Sequence, residues 1–201
     1  MGLHVAISGP DGVGKSTVTE RVCQLVDRQF TSLETSHLYN RTTHKKRSTV
    51  GIPPYLKPPG GWLGSFAKVI YMIYSYHRLF WRWIRPHKKR GGIFWSDRYF
   101  TDLLADQKRF RVYLPTWFLL LAWRVTPKPD LNLILITTPE VIQGRCNEIN
   151  LEQTQKQVRG YELLLGQSDQ FIRVDAAQSI EESSANIGQL IIDRLKELHH
   201  V

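Results

Sequence analysis

The sequence has 201 residues, of which 42% are hydrophobic and 22% are charged, as in an ordinary soluble protein. This length predicts one domain, 1–201, with a substantial core. It excludes the class of very small chains that need disulfides or metals to fold. The net charge of +9 favours phosphorylated ligands, an anionic membrane or nucleic acid as partners, without choosing among them.

The cysteines and the apolar runs of the sequence indicate in which cellular compartment the protein is expected. Two cysteines, Cys23 and Cys146, lie far apart and suggest no disulfide framework, which fits a reducing environment. The chain leads straight into a strand, so we expect no signal peptide. The longest apolar run, 112–125, is interrupted by Pro115 and Arg124 and is too short to span a bilayer. We expect a cytoplasmic protein.

The first motif is a glycine-rich turn between a predicted strand, 3–7, and a predicted helix that starts near Gly14. Residues 9–16 match the phosphate-loop pattern G-x-x-x-x-G-K-S. Glycines let backbone amides converge on a phosphate, and the amides of the new helix point to the same place. The predicted nucleotide-binding residues are Gly9, Pro10, Asp11, Gly12, Val13, Gly14, Lys15, Ser16 and Thr17. Within them, Lys15 would reach the β- and γ-phosphates of ATP, and Ser16 would hold Mg²⁺.

The middle of the chain combines a long loop with an aromatic helix. A second strand is predicted over 33–38, followed by a Pro-, Gly- and Lys-rich loop over 39–64. That loop is either a solvated connection or a cover for the substrate. Residues 65–85 predict a helix with seven aromatic side chains spread over its faces, which indicates burial on more than one side. A homodimer contact is the first interpretation; core packing and peripheral membrane contact stay open.

The second half of the chain alternates strands with helices. A buried strand over 93–96 ends in Asp97-Arg98-Tyr99, where the carboxylate would reach Mg²⁺ through water or, alternatively, would pair with Arg98. A helix is predicted over 101–111, then a strand over 131–136, helices from 138 and over 151–165, a strand over 171–174 and a helix over 179–199. This alternation predicts an α/β fold with a parallel sheet covered on both faces.

Several segments, in order, resemble the thymidylate kinase family over nearly the whole chain. They are the loop Gly9 to Thr17, Ile84-Arg85-Pro86 leading to Asp97-Arg98-Tyr99, Pro129-Asp130-Leu131, Pro139-Glu140-Val141, Arg159-Gly160-Tyr161 and Val174-Asp175-Ala176. The resemblance implies a three-layer P-loop NTPase fold of the nucleoside monophosphate kinase type, with a five-stranded parallel sheet. It also implies ATP and Mg²⁺ as cofactors and a homodimer built on helices, with no nucleic acid as partner.

The resemblance further implies roles for individual residues. Lys15, Asp97, Arg98 and Arg145 would be catalytic, with Asp97 and Ser16 at the metal. Arg145, and with it Arg159, would come from a lid-like segment near 144–158. Asp11 and Arg98 would bind the acceptor, and Met72 and Tyr76 stand where the family has its base-stacking aromatic and base-binding arginine. The segment after Val174 would flank the adenine.

Three functions remain open at this point. The first is a nucleoside monophosphate kinase, with dTMP as acceptor by resemblance. The second is a kinase of the same fold that phosphorylates a sugar or glycan hydroxyl, since a divergent branch similar to this chain, with its Asp97 to Asp106 segment, is often encoded among glycan-assembly functions. The third is a P-loop switch or binding module without phosphotransfer.

Overall fold

The computed structural model describes residues 2–29, 35–37, 61–146 and 150–199. Most of the predicted loop over 39–64, half of the predicted second strand over 33–38 and residues 147–149 of the predicted lid lie outside these residues. Within the described part of the chain, no helix combines the length and apolar character needed to cross a membrane.

A parallel sheet forms the centre of the molecule. Its strands are β1 (Leu3–Ser8), β2 (Thr35–His37), β3 (Ile93–Asp97), β4 (Leu131–Ile136) and β5 (Phe171–Asp175), in the order β2-β3-β1-β4-β5. Every neighbouring pair is parallel. β1 and β4 are buried along their whole length, as strands covered on both faces must be. The fold is therefore α/β, consistent with a P-loop kinase.

Helices connect and cover the strands. They are α1 (Lys15–Gln29), α2 (Trp62–Leu79), α3 (Arg85–Lys89), α4 (Phe100–Ala105), α5 (Thr116–Val125), α6 (Pro139–Arg145), α7 (Leu151–Leu165) and α8 (Ile180–His199). A π-helical turn, Phe80–Ile84, joins α2 to α3. α1 packs against α8, α2 against α5, and α7 against both α4 and α6. At the start of α8, Ser179 and Glu182 exchange the two hydrogen bonds of a capping box, as their spacing predicts.

The predicted elements need four corrections. The expectation of five strands is only partly met, because four strands have five or six residues and the second is a three-residue segment at the sheet edge. α2 begins at Trp62, inside the predicted loop, and the helix predicted over 101–111 ends at Ala105. α5 was not predicted, because a proline interrupts the apolar run in the sequence. In the structure Pro115 lies at the start of the helix, where a missing N–H costs little.

Candidate phosphate-binding site

The loop between β1 and α1 has the backbone that a phosphate loop needs. Gly9 and Gly12 have φ angles of 151° and 81°, a region that other residues rarely adopt. A Cβ at Gly9 would lie 2.3 Å from the carbonyl oxygen of Leu135 in β4, and one at Gly12 would lie 2.8 Å from Cβ of Cys146. These two glycines therefore allow the loop to pass close to β4 and to the end of α6.

Lys15 is folded back onto this loop. Its side chain is buried, and Nζ donates to the carbonyl oxygens of Gly9 and Pro10 at 2.8 and 2.6 Å. Burial, together with the nearby charge of Arg98, lowers the pKa of Lys15 from 10.5 to about 7. A buried ammonium held only by neutral carbonyls is well suited to exchange them for an anion.

Asp11 stands at the centre of a charged cluster. Its Oδ1 accepts from Nη2 of Arg98 at 2.6 Å, and its Oδ2 accepts from Nη1 of Arg109 at 2.5 Å. Burial alone would raise the pKa of Asp11, but the charges of Arg109 and Arg98 outweigh burial and hold this pKa well below its usual range. The carboxylate is thus ionised and fixes two guanidinium groups beside the phosphate loop.

A buried carboxylate, Asp102, contacts Arg98 on the side of the core. It accepts hydrogen bonds from the Ser8 hydroxyl at 2.9 Å, the Tyr99 amide at 2.9 Å and the Tyr161 hydroxyl at 2.6 Å. Arg98 Nη1 lies 3.4 Å from its Oδ1. Arg98 also has a φ of 66°, a conformation that costs a non-glycine residue free energy and needs such support.

α7 is tied to the loop through Gln157. The Gln157 side chain accepts from the Asp11 amide at 3.1 Å, and its Nε2 donates to Asp106 at 3.1 Å, with a longer contact of 3.4 Å to Asp11. Asp106 in turn accepts from the Arg109 amide at 3.1 Å. The first half of α7, which belongs to the predicted lid, is therefore coupled to both ends of the charged cluster.

The predicted metal residues suit a magnesium ion. Asp97 ends β3 beside Ile7 of β1, and its Oδ1 is buried without a hydrogen-bond partner among the described residues. Ser16 lies in the first turn of α1 with an exposed side chain. The ion pair considered between Asp97 and Arg98 is not formed, because Arg98 pairs with Asp11 and Asp102. The described residues contain no cluster of three or more His, Cys, Asp or Glu that would hold a metal alone. The donors present therefore fit an ion held by one hydroxyl, one carboxylate and phosphate oxygens.

Arg145 and Arg159, two further predicted site residues, have their contacts outside the Asp11 cluster. Arg145 ends α6 and donates from Nη1 to the Ala176 carbonyl at 2.7 Å, beside the segment after β5. Its neighbour Cys146 approaches Gly12 of the loop. Arg159 lines an open groove of about 450 Å³ with Thr137 and Arg173.

Tyr76 and Met72, the two residues predicted to bind the base of the acceptor, pack against the hydrophobic core. Tyr76 is only 7% exposed and packs against the rings of Tyr99 and Phe100, with centroids 4.5 and 6.2 Å away. Met72 is partly buried against the same core. The Tyr76 ring therefore takes part in the packing between α2 and the start of α4.

Sequence reasoning missed several members of the cluster, namely Asp102, Asp106, Arg109, Gln157 and Tyr161. Asp102 and Asp106 carried a usable signal, because they are four residues apart and follow Asp97-Arg98-Tyr99 closely. Arg109 and Gln157 carried none. One lies in a run of basic residues and the other in the middle of a polar helix, and only the tertiary fold brings both to Asp11.

Comparison with known proteins finds a distant relative named as a kinase. No protein-family model matches the chain. A probable thymidylate kinase from Methanosphaera stadtmanae is 24% identical over 204 aligned residues, which cover 96% of this chain and 100% of that relative. The chain is similar to a nucleotide kinase from end to end. The relationship is distant, and it supports a nucleotide kinase-like function without identifying the substrate.

Proposed function

We propose that the protein is a Mg-ATP-dependent phosphotransferase that phosphorylates a nucleoside monophosphate, with dTMP as the first candidate. The observation that carries this proposal is the Asp11 cluster. Two guanidinium groups, from Arg98 and Arg109, are fixed beside a phosphate loop that already has its own lysine. A switch protein needs one phosphate-binding element, whereas a kinase needs a second for the acceptor.

Each residue then has a definite task. Lys15 and the loop amides bind the β- and γ-phosphates, and Ser16 with Asp97 would hold Mg²⁺, which neutralises charge on the transferred group. Arg98 and Arg109 bind the acceptor phosphate, and Asp11 orients both. Arg145 supplies positive charge to the transition state from the end of α6, and the segment after Val174 flanks the adenine.

The low pKa of Asp11 favours a phosphate acceptor over a sugar hydroxyl. A sugar hydroxyl must lose a proton during transfer, which calls for a base whose pKa lies near the working pH. Asp11, held ionised by Arg109 and Arg98, is a poor proton acceptor. A monophosphate offers oxygens that are already deprotonated near neutral pH, so an orienting carboxylate and two guanidinium groups suffice.

An acceptor panel tests this proposal. We expect Mg-ATP turnover to ADP with at least one nucleoside monophosphate, and no turnover in Lys15→Met. Nucleoside monophosphates and free sugars are assayed side by side, with ADP and phosphorylated product quantified. Turnover only with a sugar would favour the hydroxyl kinase, and ATP binding without transfer to any acceptor would favour the switch.

A further inference from the structure

The side of the molecule formed by α2 and α5 has a continuous apolar surface, which we call the aromatic face. Its exposed members on α2 follow helical spacing, and those on α5 recur every four residues. They are Trp62, Leu63, Ile70, Tyr71 and Tyr74 on α2, and Trp117, Leu121 and Val125 on α5, each between 47% and 73% exposed. Phe66 packs on Phe118 with ring centroids 5.3 Å apart, so the two helices lie side by side. A monomer in water rarely exposes so much contiguous apolar area.

Positive charge borders this face without acidic residues. Residues 61–96 contain seven Lys or Arg and no Asp or Glu, and residues 107–129 contain five and again none. These twelve exceed the net charge of +9, so the rest of the chain is net negative. Arg78, Arg82, Arg85 and Lys89 have exposed side chains at helical spacing, and they continue the line of α2.

Tryptophan and arginine alternate where the apolar and basic parts meet. Trp81 and Trp83, in the π-helical turn, are 56% and 50% exposed. The Arg85 guanidinium lies 4.5 Å from the Trp81 ring centroid, and that of Arg82 lies 5.9 Å from the Trp83 ring. Indole rings flanked by cations suit the headgroup region of a bilayer, where the ring is half desolvated and the cation meets phosphate.

Charge also argues against two other occupants. A second copy of the chain would bring the same basic groups face to face in a two-fold contact, and like charges repel. The segments 61–96 and 107–129 have no carboxylates of their own to offer a partner copy. The carboxylates that pair with them in the described residues, Asp130 with Lys88 and Asp11 with Arg109, lie outside both segments. Nucleic-acid interfaces are polar and read phosphates and bases, which leaves Leu63, Ile70 and Leu121 without a role.

We propose that the aromatic face, with its basic border on the π-helical turn and α3, docks the protein on an anionic lipid bilayer. The helices lie in the plane of the interface. The apolar side chains of α2 and α5 enter the headgroup boundary, and Arg78, Arg82, Arg85 and Lys89 bind lipid phosphates. The first turns of α2 donate to and accept from the segment that carries Arg109, through Lys68 to the Phe110 carbonyl and Ser65 from the Tyr113 amide. If the proposed function holds, docking therefore brings the acceptor-binding residue Arg109 close to the membrane.

Vesicle binding by the full-length protein tests this docking. We expect co-sedimentation with vesicles that contain phosphatidylglycerol, at least tenfold tighter than with phosphatidylcholine alone, weakened by salt. Arg78→Glu with Arg82→Glu should weaken binding by at least about thirtyfold, since each basic residue near an anionic surface contributes about a factor of five. The matched control is Arg194→Glu with Lys196→Glu on α8, the same charge change on exposed side chains elsewhere.

A second variant separates contact from charge alone. Trp117→Ser with Leu121→Ser keeps every charge and should also lower binding, while wild-type tryptophan fluorescence should be quenched by brominated lipid. Absence of binding, equal binding to neutral vesicles, or equal loss in the α8 control would overturn the proposal. So would a stable dimer in light scattering that dissociates in either face variant, or tighter binding to an oligonucleotide than to vesicles.

Discussion

At the scale of single residues, Lys15 illustrates how a binding group costs the fold stability. It is buried beside Arg98 with carbonyl partners only, and its pKa falls from 10.5 to about 7. Between those pH values the unfolded chain binds one more proton than the folded chain, so the stability of the wild type rises with pH there. Burial of Lys15 therefore costs the folded protein stability near neutral pH.

We therefore expect Lys15→Met to be inactive and yet more stable than the wild type. The gain should be larger at pH 7 than at pH 9, by about 2 kcal/mol, because the charge is present on the unfolded wild type at both values while the folded lysine loses it above pH 7. Urea unfolding at the two pH values measures this difference. A gain that does not change with pH would contradict the account of Lys15.

Arg145 is the residue on which the transition-state role depends. Arg145→Ala should lower kcat by at least about a hundredfold, the effect of removing one group that stabilises transition-state charge, because positive charge near the transferred group acts mainly on the chemical step. Arg159→Ala, which removes an arginine from the groove side of α7, should have a much smaller effect. Steady-state kinetics decide this, and a rise in KM at constant kcat would assign Arg145 to ground-state binding instead.

At the scale of elements, the sequence predicted what local patterns control. The phosphate loop, β4, α7 and the capping box at Ser179 follow from spacing, β propensity and capping chemistry, and the structure has them where predicted. α5 and the end of α4 depend on packing, since an apolar run with a proline is compatible with several structures. The Tyr76 assignment depends on register along α2 and stays a prediction, and the structure packs that ring against Tyr99.

Gly160 lets α7 approach the end of α4 closely. A Cβ there would lie 2.2 Å from the Ala105 carbonyl oxygen at the end of α4, a backbone atom that cannot turn aside. Gly160→Ala should therefore lower the free energy of unfolding by about 1–3 kcal/mol and reduce activity, because α7 also carries Gln157 and Tyr161. Urea unfolding and turnover are the measurements.

Gly188 in α8 is the matched control for this substitution. A Cβ there would meet no atom within 4 Å, so Gly188→Ala should raise stability by up to about 1 kcal/mol through helix propensity. Equal effects of the two substitutions would mean that the contact between α7 and α4 does not position the site.

At the scale of the whole molecule, parallel strands gather the site from distant parts of the chain. The phosphate loop follows β1, Asp97 ends β3 with Arg98 directly after it, and the turn after α4 supplies Arg109, nearly a hundred residues from Asp11. Sequence motifs located the first two. The third could not be predicted, because a basic residue in a basic segment has no pattern of its own until the fold brings it to a carboxylate.

Arg109 therefore offers the most direct test of the central claim, that the Asp11 cluster is the acceptor-phosphate site of a P-loop kinase. The measurement is steady-state kinetics of Arg109→Ala with ATP and the best monophosphate from the acceptor panel, with the exposed neighbour Lys108→Ala as control. We expect the KM for the acceptor to rise by at least about tenfold, as for a lost charge-assisted contact, with KM for ATP nearly unchanged. A raised KM for ATP with an unchanged KM for the acceptor would contradict it.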